Sequence, residues 1–337
     1  MYLLTNNANS NVIVAALLLI LGLVLIIKGG DFFVDASVWI AEILHMPKFL
    51  IGATIVSLAT TLPEMIVSII AVVEGNFAIS IGNAVGSVTA NTGLILAISA
   101  IFVGGVIDRK EFGIKAMLIM LSGLILFGFC LTGKFGIFPS ILLLLILIYY
   151  MYETAMSAKR ASLANKETSN EQVEVKKDKK TVITNIIKFV LGVAGIVIGA
   201  QLLVDNSQIV AKAIGISDGL IAITVVAIGT SLPELITTIT SIVKKQGELG
   251  VGNIIGANII DLVLILPICS FISKGNLEVA KQCAYIDLPA LLVISSVAVI
   301  PTLINKKFTK VQGIILLILY IAYIVLAYLG QQGKLFY

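Results

Sequence analysis

Apolar runs of bilayer length constrain this chain more than any other feature of it. Windows near 11–29, 48–73, 78–104, 113–132, 136–155, 181–204, 217–243, 249–272, 284–304 and 309–330 are nearly free of charge. Each approaches or exceeds the ~20 residues that a helix needs to cross the hydrocarbon layer. The composition agrees, because 58% of the 337 residues are hydrophobic and only 12% are charged, against about 25% charged for a soluble domain. The two-residue alternation of an outer-membrane barrel strand is absent. The expected fold is an all-α polytopic membrane protein with ten transmembrane helices. Stretches 31–45 and 205–214 read as helical extensions or interfacial helices. Segment 157–180, "SAKRASLANKETSNEQVEVKKDKK", is polar and of mixed charge and reads as a mobile loop. The amino-terminal stretch has no Lys or Arg before its first apolar run, so it lacks the basic region of a cleaved signal peptide and the first span is expected to be retained.

The chain repeats itself at an offset of 170. "IGATIVSLATTLPEMIVSIIAVV" falls on "IAITVVAIGTSLPELITTITSIV", and "IGNAVGSVTANTGLIL" falls on "VGNIIGANIIDLVLIL" without a gap. Between Ile51 and Leu96, 16 of 46 positions are identical to their counterparts. Thr60, Leu62, Pro63, Glu64, Gly82, Asn83 and Gly86 recur as Thr230, Leu232, Pro233, Glu234, Gly252, Asn253 and Gly256, and Asp35 recurs as Asp205. Two five-span repeats are therefore expected: residues 1–156 with motif region 51–96, and residues 181–337 with motif region 221–266, joined by the loop 157–180. Five is odd, so the second repeat enters the membrane from the opposite side and the two are inverted. This is a plan of secondary transporters, whose substrate site lies at the midplane between the repeats. With the amino terminus outside, 18 of the 23 Lys and Arg residues fall on the inner side and 5 on the outer. The positive-inside rule then puts both termini outside and the 157–180 loop in the cytoplasm of a cell (inner or plasma) membrane.

Each motif places a proline and a carboxylate inside an apolar span. A charge at the bilayer centre costs at least ~2.5 kcal/mol, and an interior proline costs a helix about 3 kcal/mol. Pro63 has no N–H for the carbonyl of Ala59, which leaves backbone oxygens around Ser57 to Thr60 free to point elsewhere. Pro233 does the same around Ala227 to Thr230. Such carbonyls are tolerated at membrane depth only where they are buried or line a cavity, and a cation suits them. Thr60 and Glu64 are four apart and share a helix face, as do Thr230 and Glu234, with Thr61 and Ser231 adding a hydroxyl beside each. The following span of each half brings Ser87 and Asn91, and Ala257 and Asp261. Gly82/Gly86 and Gly252/Gly256 read as small-residue pairs that let these helices approach closely. Every donor in the pooled set is oxygen. Hard cations take oxygen, Ca²⁺ six to eight of them at ~2.3–2.6 Å, whereas transition metals favour the imidazole or thiolate missing here. Three carboxylates offset one Ca²⁺ with one charge over, or three Na⁺ with none.

Other polar residues carry less. Cys130, Cys269 and Cys283 form no CxxC pair and read as apolar fillers. The single histidine, His45, excludes a multi-histidine zinc or haem site and reads as interfacial. Asp35 and Asp205 lie near span ends and read as solvated caps or anchors. Asp287, beside Pro289, reads as interfacial.

"ATTLPE" and "GTSLPE", each followed by "GNxxG", resemble the two α-repeats of the cation/calcium antiporter superfamily, with the prokaryotic sodium/calcium exchangers as the nearest group. The resemblance implies exchange of Na⁺ for Ca²⁺ by alternating access. Carried over by motif position, it implies ligands at Thr60, Thr61, Glu64, Ser87 and Asn91 in the first repeat. In the second it implies Thr230, Ser231, Glu234 and Asp261, with the carbonyls of Ser57 and Ala227. It implies no enzyme activity and no cofactor. The partners are Ca²⁺, Na⁺ and the lipid bilayer, without nucleic acid, and a monomer is the expected unit. Three departures stand out: "ATT" where "GTS" or "GSS" is common, Ala257 where a serine is usual, and Glu234 where potassium-dependent members often carry Asp. The loss of the serine hydroxyl bears on a flanking Na⁺ site, and Glu234 points to potassium independence. The 157–180 loop is too short for the calcium-sensing domains of larger relatives. A proton/calcium antiporter would use the same carboxylates, but its family's motifs are closer to "GNxxE". A membrane enzyme lacks a visible nucleophile–base pair, and inverted repeats favour alternating access over a passive channel.

Overall fold

The structure, a computed structural model, describes residues 8–106, 109–168, 178–213 and 229–331. The described part is a helical membrane protein. Its helices are α1 (Ala8–Ile43), α2 (Lys48–Thr60), α3 (Leu62–Val73), α4 (Phe77–Phe102), α5 (Arg109–Cys130), α6 (Ile137–Thr168), α7 (Lys179–Ala213), α8 (Leu232–Val243), α9 (Gly247–Ile272), α10 (Cys283–Asn305) and α11 (Lys310–Gln331). Among the described residues, 8 helices are long and apolar enough to cross a membrane, or 9 if the bent pair α2 and α3 is one span. The remaining expected span, 217–243, lies partly outside the described residues, and its visible part is the short apolar helix α8.

The structure decides one boundary left open and moves another. The extension at 31–45 is the continuation of α1, one helix of 36 residues. At 1.5 Å per residue it is longer than the ~30 Å hydrocarbon layer is thick. The expected loop also begins later, because α6 runs on to Thr168. Its sequence "AMSAKRASLANKET" is rich in Ala, Lys, Arg and Leu, which hold a helix well outside the bilayer.

Two helices form the centre. Of the residues in the most apolar stretch of each helix, 72% are buried in α4 and 83% in α9, against 22% in α1 and 22% in α7. The main core gathers Val85, Val88, Ile95, Leu96, Ile259, Leu262 and Leu266 of these two helices with Phe112 and Leu126 of α5, Leu291 of α10 and Leu316 of α11. α1 and α7 lie together at the side with long apolar faces outward, such as Leu17, Ile20, Ile27, Ile186, Val190 and Ile198. Their contact is made by glycines. A Cβ on Gly22 would lie 2.9 Å from the Gly199 carbonyl oxygen, and one on Gly29 would lie 2.9 Å from that of Gly192. Backbones this close leave room only for hydrogen. Gly22 and Gly192, and Gly29 and Gly199, are again 170 apart.

Two short antiparallel ribbons tie the halves together. β1 (Gly105–Val106) pairs with β4 (Lys307–Phe308), and β2 (Lys134–Phe135) pairs with β3 (Leu277–Glu278).

Apart from the acids of the two motifs, charged residues are rare inside the described part, and the buried lysine is paired. The fully buried Lys115 of α5 lies 3.0 Å from Glu111 and 3.3 Å from Glu153 of α6. Ser157 donates to Glu153 at 2.8 Å, and the ammonium lies 5.5 Å from the centre of the Phe49 ring. At the exposed end of α1, Asp35 and Asp31 pair with Lys244 at 2.7 and 3.3 Å. The counterpart Asp205 accepts from Gln201 at 2.9 and 3.0 Å. Asp287 is buried against its neighbours, and it accepts from the Tyr323 hydroxyl at 3.3 Å. Its place in the π-helical turn Cys283–Asp287 at the start of α10, against α11, keeps it from solvent. The three cysteines are buried and free.

Candidate functional site

The break in the first motif falls at Thr61, where α2 ends and α3 leaves it at an angle of 43°. Pro63 is therefore in the first turn of a new helix, where a missing N–H costs nothing. The second motif folds the same way, with Pro233 in the first turn of α8. The residues at the two breaks have nearly the same backbone, Thr61 at φ −84°, ψ −2° and Ser231 at φ −85°, ψ 8°. The expectation that the proline strands carbonyls of Ser57 to Thr60 needs one change. The Ser57 carbonyl accepts from the Thr61 N–H at 2.9 Å, the Thr61 hydroxyl at 2.6 Å and the Thr60 hydroxyl at 3.3 Å. Helical wrapping by two adjacent threonines keeps this oxygen partnered in spite of the bend.

A second local feature is legible only in the structure. α2 contains a π-helical turn at Gly52–Val56, α4 one at Asn91–Ile95 and α9 one at Asp261–Ile265. Single π turns inside α-helices cluster at functional sites. Here two of them begin at the candidate ligands Asn91 and Asp261. The Tyr150 hydroxyl of α6 donates to the Ala53 carbonyl within the first of these turns.

The helix breaks bring the two motifs together. The Thr61 hydroxyl, nearer the Ser57 carbonyl, lies 3.5 Å from Glu234 Oε1, and the Thr60 hydroxyl donates to Asn253 Oδ1 at 3.0 Å, its shorter contact. α9 crosses α2 so closely that a Cβ on Gly252 or Gly256 would collide with backbone of Phe49 or Ala53. Gly82 and Gly86 meet no described atom within 4 Å. The segment equivalent to α2 in the second half is 218–230, most of which lies outside the described residues, as does Ala227.

The remaining candidates are buried, with Thr230 half-buried at the turn before α8. Glu64 is 1% exposed, Glu234 and Asp261 0%. Both carboxylate oxygens of Glu64, both of Asp261 and Oε2 of Glu234 have no hydrogen-bond partner, nor do the hydroxyls of Ser87 and Ser231 or the amide of Asn91. Buried polar atoms are almost always partnered. Here the unpartnered atoms are carboxylate, hydroxyl and amide oxygens, apart from the amide nitrogens of Asn91 and Asn253, and that set fits a hard cation. The carboxylates of Glu64, Glu234 and Asp261 lie within reach of one another's charge. Among the described residues, however, no three acidic, His or Cys side chains gather closely enough to hold a metal by themselves. Hydroxyl, amide and backbone oxygens must complete any coordination shell.

Several residues beside the site escaped the sequence reading. Asn83 donates to the Glu64 carbonyl at 3.2 Å and to Ser68 at 3.0 Å, and Asn258 donates to Thr92 at 2.9 Å. The recurrence of Asn83 and Asn253 at the 170 offset was a signal for the first. Thr92 and Asn258 have no counterpart in the other half.

A family model described as sodium/calcium exchanger protein matches residues 14–155 and 184–329. The chain belongs to the sodium/calcium exchanger family. Among its relatives is the sodium/calcium exchanger MaX1 of Methanosarcina acetivorans, 30% identical, with 93% of this chain and 98% of that protein aligned. An uncharacterized membrane protein, MJ0091, of Methanocaldococcus jannaschii is 34% identical over 90% of this chain and 94% of its own length. The solved structure of the sodium-calcium exchanger NCX_Mj soaked with 10 mM Na⁺ and zero Ca²⁺ superposes with a TM-score of 0.78 at 30% identity, covering 93% of this chain and 99% of that one. The exchanger family thus has its two matched blocks on either side of the 157–180 segment.

Proposed function

We propose that this chain is a secondary antiporter that exchanges Na⁺ for Ca²⁺ across a cell membrane by alternating access. One observation carries the reading. Glu64 and Glu234 are fully buried in a helical membrane protein, with three of their four carboxylate oxygens unpartnered, at equivalent positions of two repeats that meet through Thr61. Glu64 and Glu234 are the Ca²⁺ ligands, and Thr60, Thr61, Thr230 and the backbone at Ser57 and Ala227 belong to the oxygen set for the exchanged cations, the Ser57 carbonyl once its hydroxyl donors turn away. Ser87, Asn91, Ser231 and Asp261 extend the oxygen set for Na⁺.

Alternating access follows from an inverted ten-span plan with halves 1–156 and 181–337, which the ribbons support. α5 separates β1 at its amino end from β2 at its carboxyl end. The counterpart of β1 in the second half is β3, which pairs with β2. Equivalent strands thus stand at opposite ends of one spanning helix, as an inverted repeat requires. Arg109, Lys110, Lys306, Lys307 and Lys310 flank the β1–β4 ribbon in sequence. That end is cytoplasmic by the positive-inside rule, with both termini outside.

Ca²⁺ uptake into proteoliposomes tests the reading. A Na⁺ gradient is expected to drive uptake and a pH gradient is not. Uptake driven by the pH gradient alone would reassign the chain to proton/calcium antiport.

A further inference from the structure

The two repeat-equivalent asparagines occupy different hydrogen-bonding positions. Asn83 stays within its own half, donating to the Glu64 carbonyl at 3.2 Å and to the Ser68 hydroxyl at 3.0 Å, and Ser68 in turn donates to the Ser80 carbonyl at 3.5 Å. Asn253 reaches across to the other half, accepting from Thr60 at 3.0 Å. What Asn253 leaves behind is visible. Its amide nitrogen has no partner, and neither has the hydroxyl of Thr238, the residue equivalent to Ser68. Both residues are 0% exposed. Two buried orphans, a donor and an acceptor, thus stand on neighbouring helices α8 and α9, where the other half has a formed bond.

We infer that Asn83 and Asn253 are the two arms of one switch that positions the carboxylate helices during exchange. The inference rests on the alternating-access reading above. In an inverted-repeat transporter the halves are related by a pseudo-two-fold axis in the membrane plane and one moves against the other, and by that symmetry the arrangement of one half in one end state is expected of the other half in the opposite state. In the structure described, Asn83 braces α3 from within and Asn253 holds Thr60 of the opposite half. In the other end state the roles exchange. Asn253 then donates to the Glu234 carbonyl and the Thr238 hydroxyl, and Asn83 takes Thr230. Each state leaves one asparagine–hydroxyl pair unmade, so these two pairs by themselves favour neither state, and removing one hydroxyl shifts the balance by about one hydrogen bond. Glu64 and Glu234 thereby sit on helices that are braced in one state and released in the other. Asn83 and Asn253 are positioning residues. They act on the ligands through the backbone of α3 and α8.

The test uses the hydroxyls, which lie outside the proposed ligand set. Ser68→Ala removes a bond present only in the state described. Thr238→Val removes one present only in the other state. The two equivalent substitutions are therefore expected to have opposite effects, and the double variant to return toward wild type. Half-saturating Ca²⁺ is measured at each membrane face in right-side-out and inverted vesicles. A shift in populations changes apparent affinity through the fraction of competent state. At the face served by the less populated state it should move by roughly two- to tenfold, the worth of one hydrogen bond, in opposite directions for the two variants. Amide hydrogen exchange of the ion-free protein in detergent gives a readout independent of transport. Protection of 62–73 and 232–243 should change with opposite signs. Should the valine variant misfold, Thr238→Ala removes the same hydroxyl and carries the same expectation. Shifts of the same sign, or no shift in either readout, would overturn the switch. A wild-type protein without Na⁺-driven Ca²⁺ uptake would instead overturn the exchange reading, and hydrogen exchange would still decide the switch.

Discussion

A buried carboxylate oxygen with no protein donor is costly, and Glu64 has two. That cost makes sense when a cation is the intended partner. Glu64→Gln and Glu234→Gln keep the shape and remove the charge. Each should weaken ion binding by about 2–5 kcal/mol, the worth of one member of a buried charge pair, and Na⁺-driven Ca²⁺ uptake should fall by at least an order of magnitude while the protein stays monodisperse. Near-normal uptake by either variant would make that glutamate structural. Asp261 faces Asn91 across the repeat register, so the first half already works with an amide where the second has an acid. Asp261→Asn is accordingly expected to retain more Ca²⁺ exchange than either glutamate variant in the same assay. Away from the site, Lys115 neutralises the buried Glu153. Lys115→Met leaves that carboxylate uncompensated, which costs about 3–5 kcal/mol. A drop in thermal midpoint is expected, with partial recovery in Lys115→Met/Glu153→Gln. Equal midpoints for the single and double variants would mean that Lys115 does not act through Glu153.

At the scale of elements, the site depends on how closely α9 crosses α2. Gly252 has no room for a methyl group, because the Phe49 carbonyl occupies that space. Gly252→Ala should therefore separate the helices and destabilise by about 1–3 kcal/mol, the usual cost of overpacking. Gly128→Ala in α5, with no described atom within 4 Å of the added carbon, should be neutral or stabilising by about 0.5–1 kcal/mol, since alanine is the better helix former. A thermal unfolding series in one detergent compares them, and equal midpoints would argue against a tight crossing. The π turns belong to this scale as well. Residues 91–95 and 261–265 read "NTGLI" and "DLVLI"; neither contains a proline, and the one glycine, Gly93, has no counterpart in the second segment, so no shared signal marks them in advance. The turn at 91–95 packs against α11, where a Cβ on Gly93 would lie 2.9 Å from Tyr320, and the turn at 261–265 packs against α6 and α4.

For the whole molecule, the charge distribution fixes the expected orientation. Single cysteines at Ser10 and Ser169, in a background without Cys130, Cys269 and Cys283, should label from opposite faces of intact cells with an impermeant maleimide. Labelling of both from one face would be incompatible with the inverted plan. The solvent of this protein, its helical class and its repeat were legible in the sequence, because each is a one-dimensional property: length of apolar run, charge content, and self-similarity at a fixed offset. So was the placing of Glu64 and Glu234 inside apolar spans, which the structure buries, since glutamate beside proline in a lipid-length run admits few readings. The sequence did not show that α1 runs unbroken to Ile43 or that α6 continues to Thr168. A span is marked by hydropathy, whereas a helix ends only where its backbone loses partners. Nor did the repeat reveal its own asymmetry. Asn83 and Asn253 are identical residues in matching positions, yet one bonds inward and the other across the halves. Which partner each takes depends on how far the two halves are displaced at the crossing of α2 and α9. That displacement is set by contacts between residues about two hundred positions apart, and only the tertiary structure brings them together.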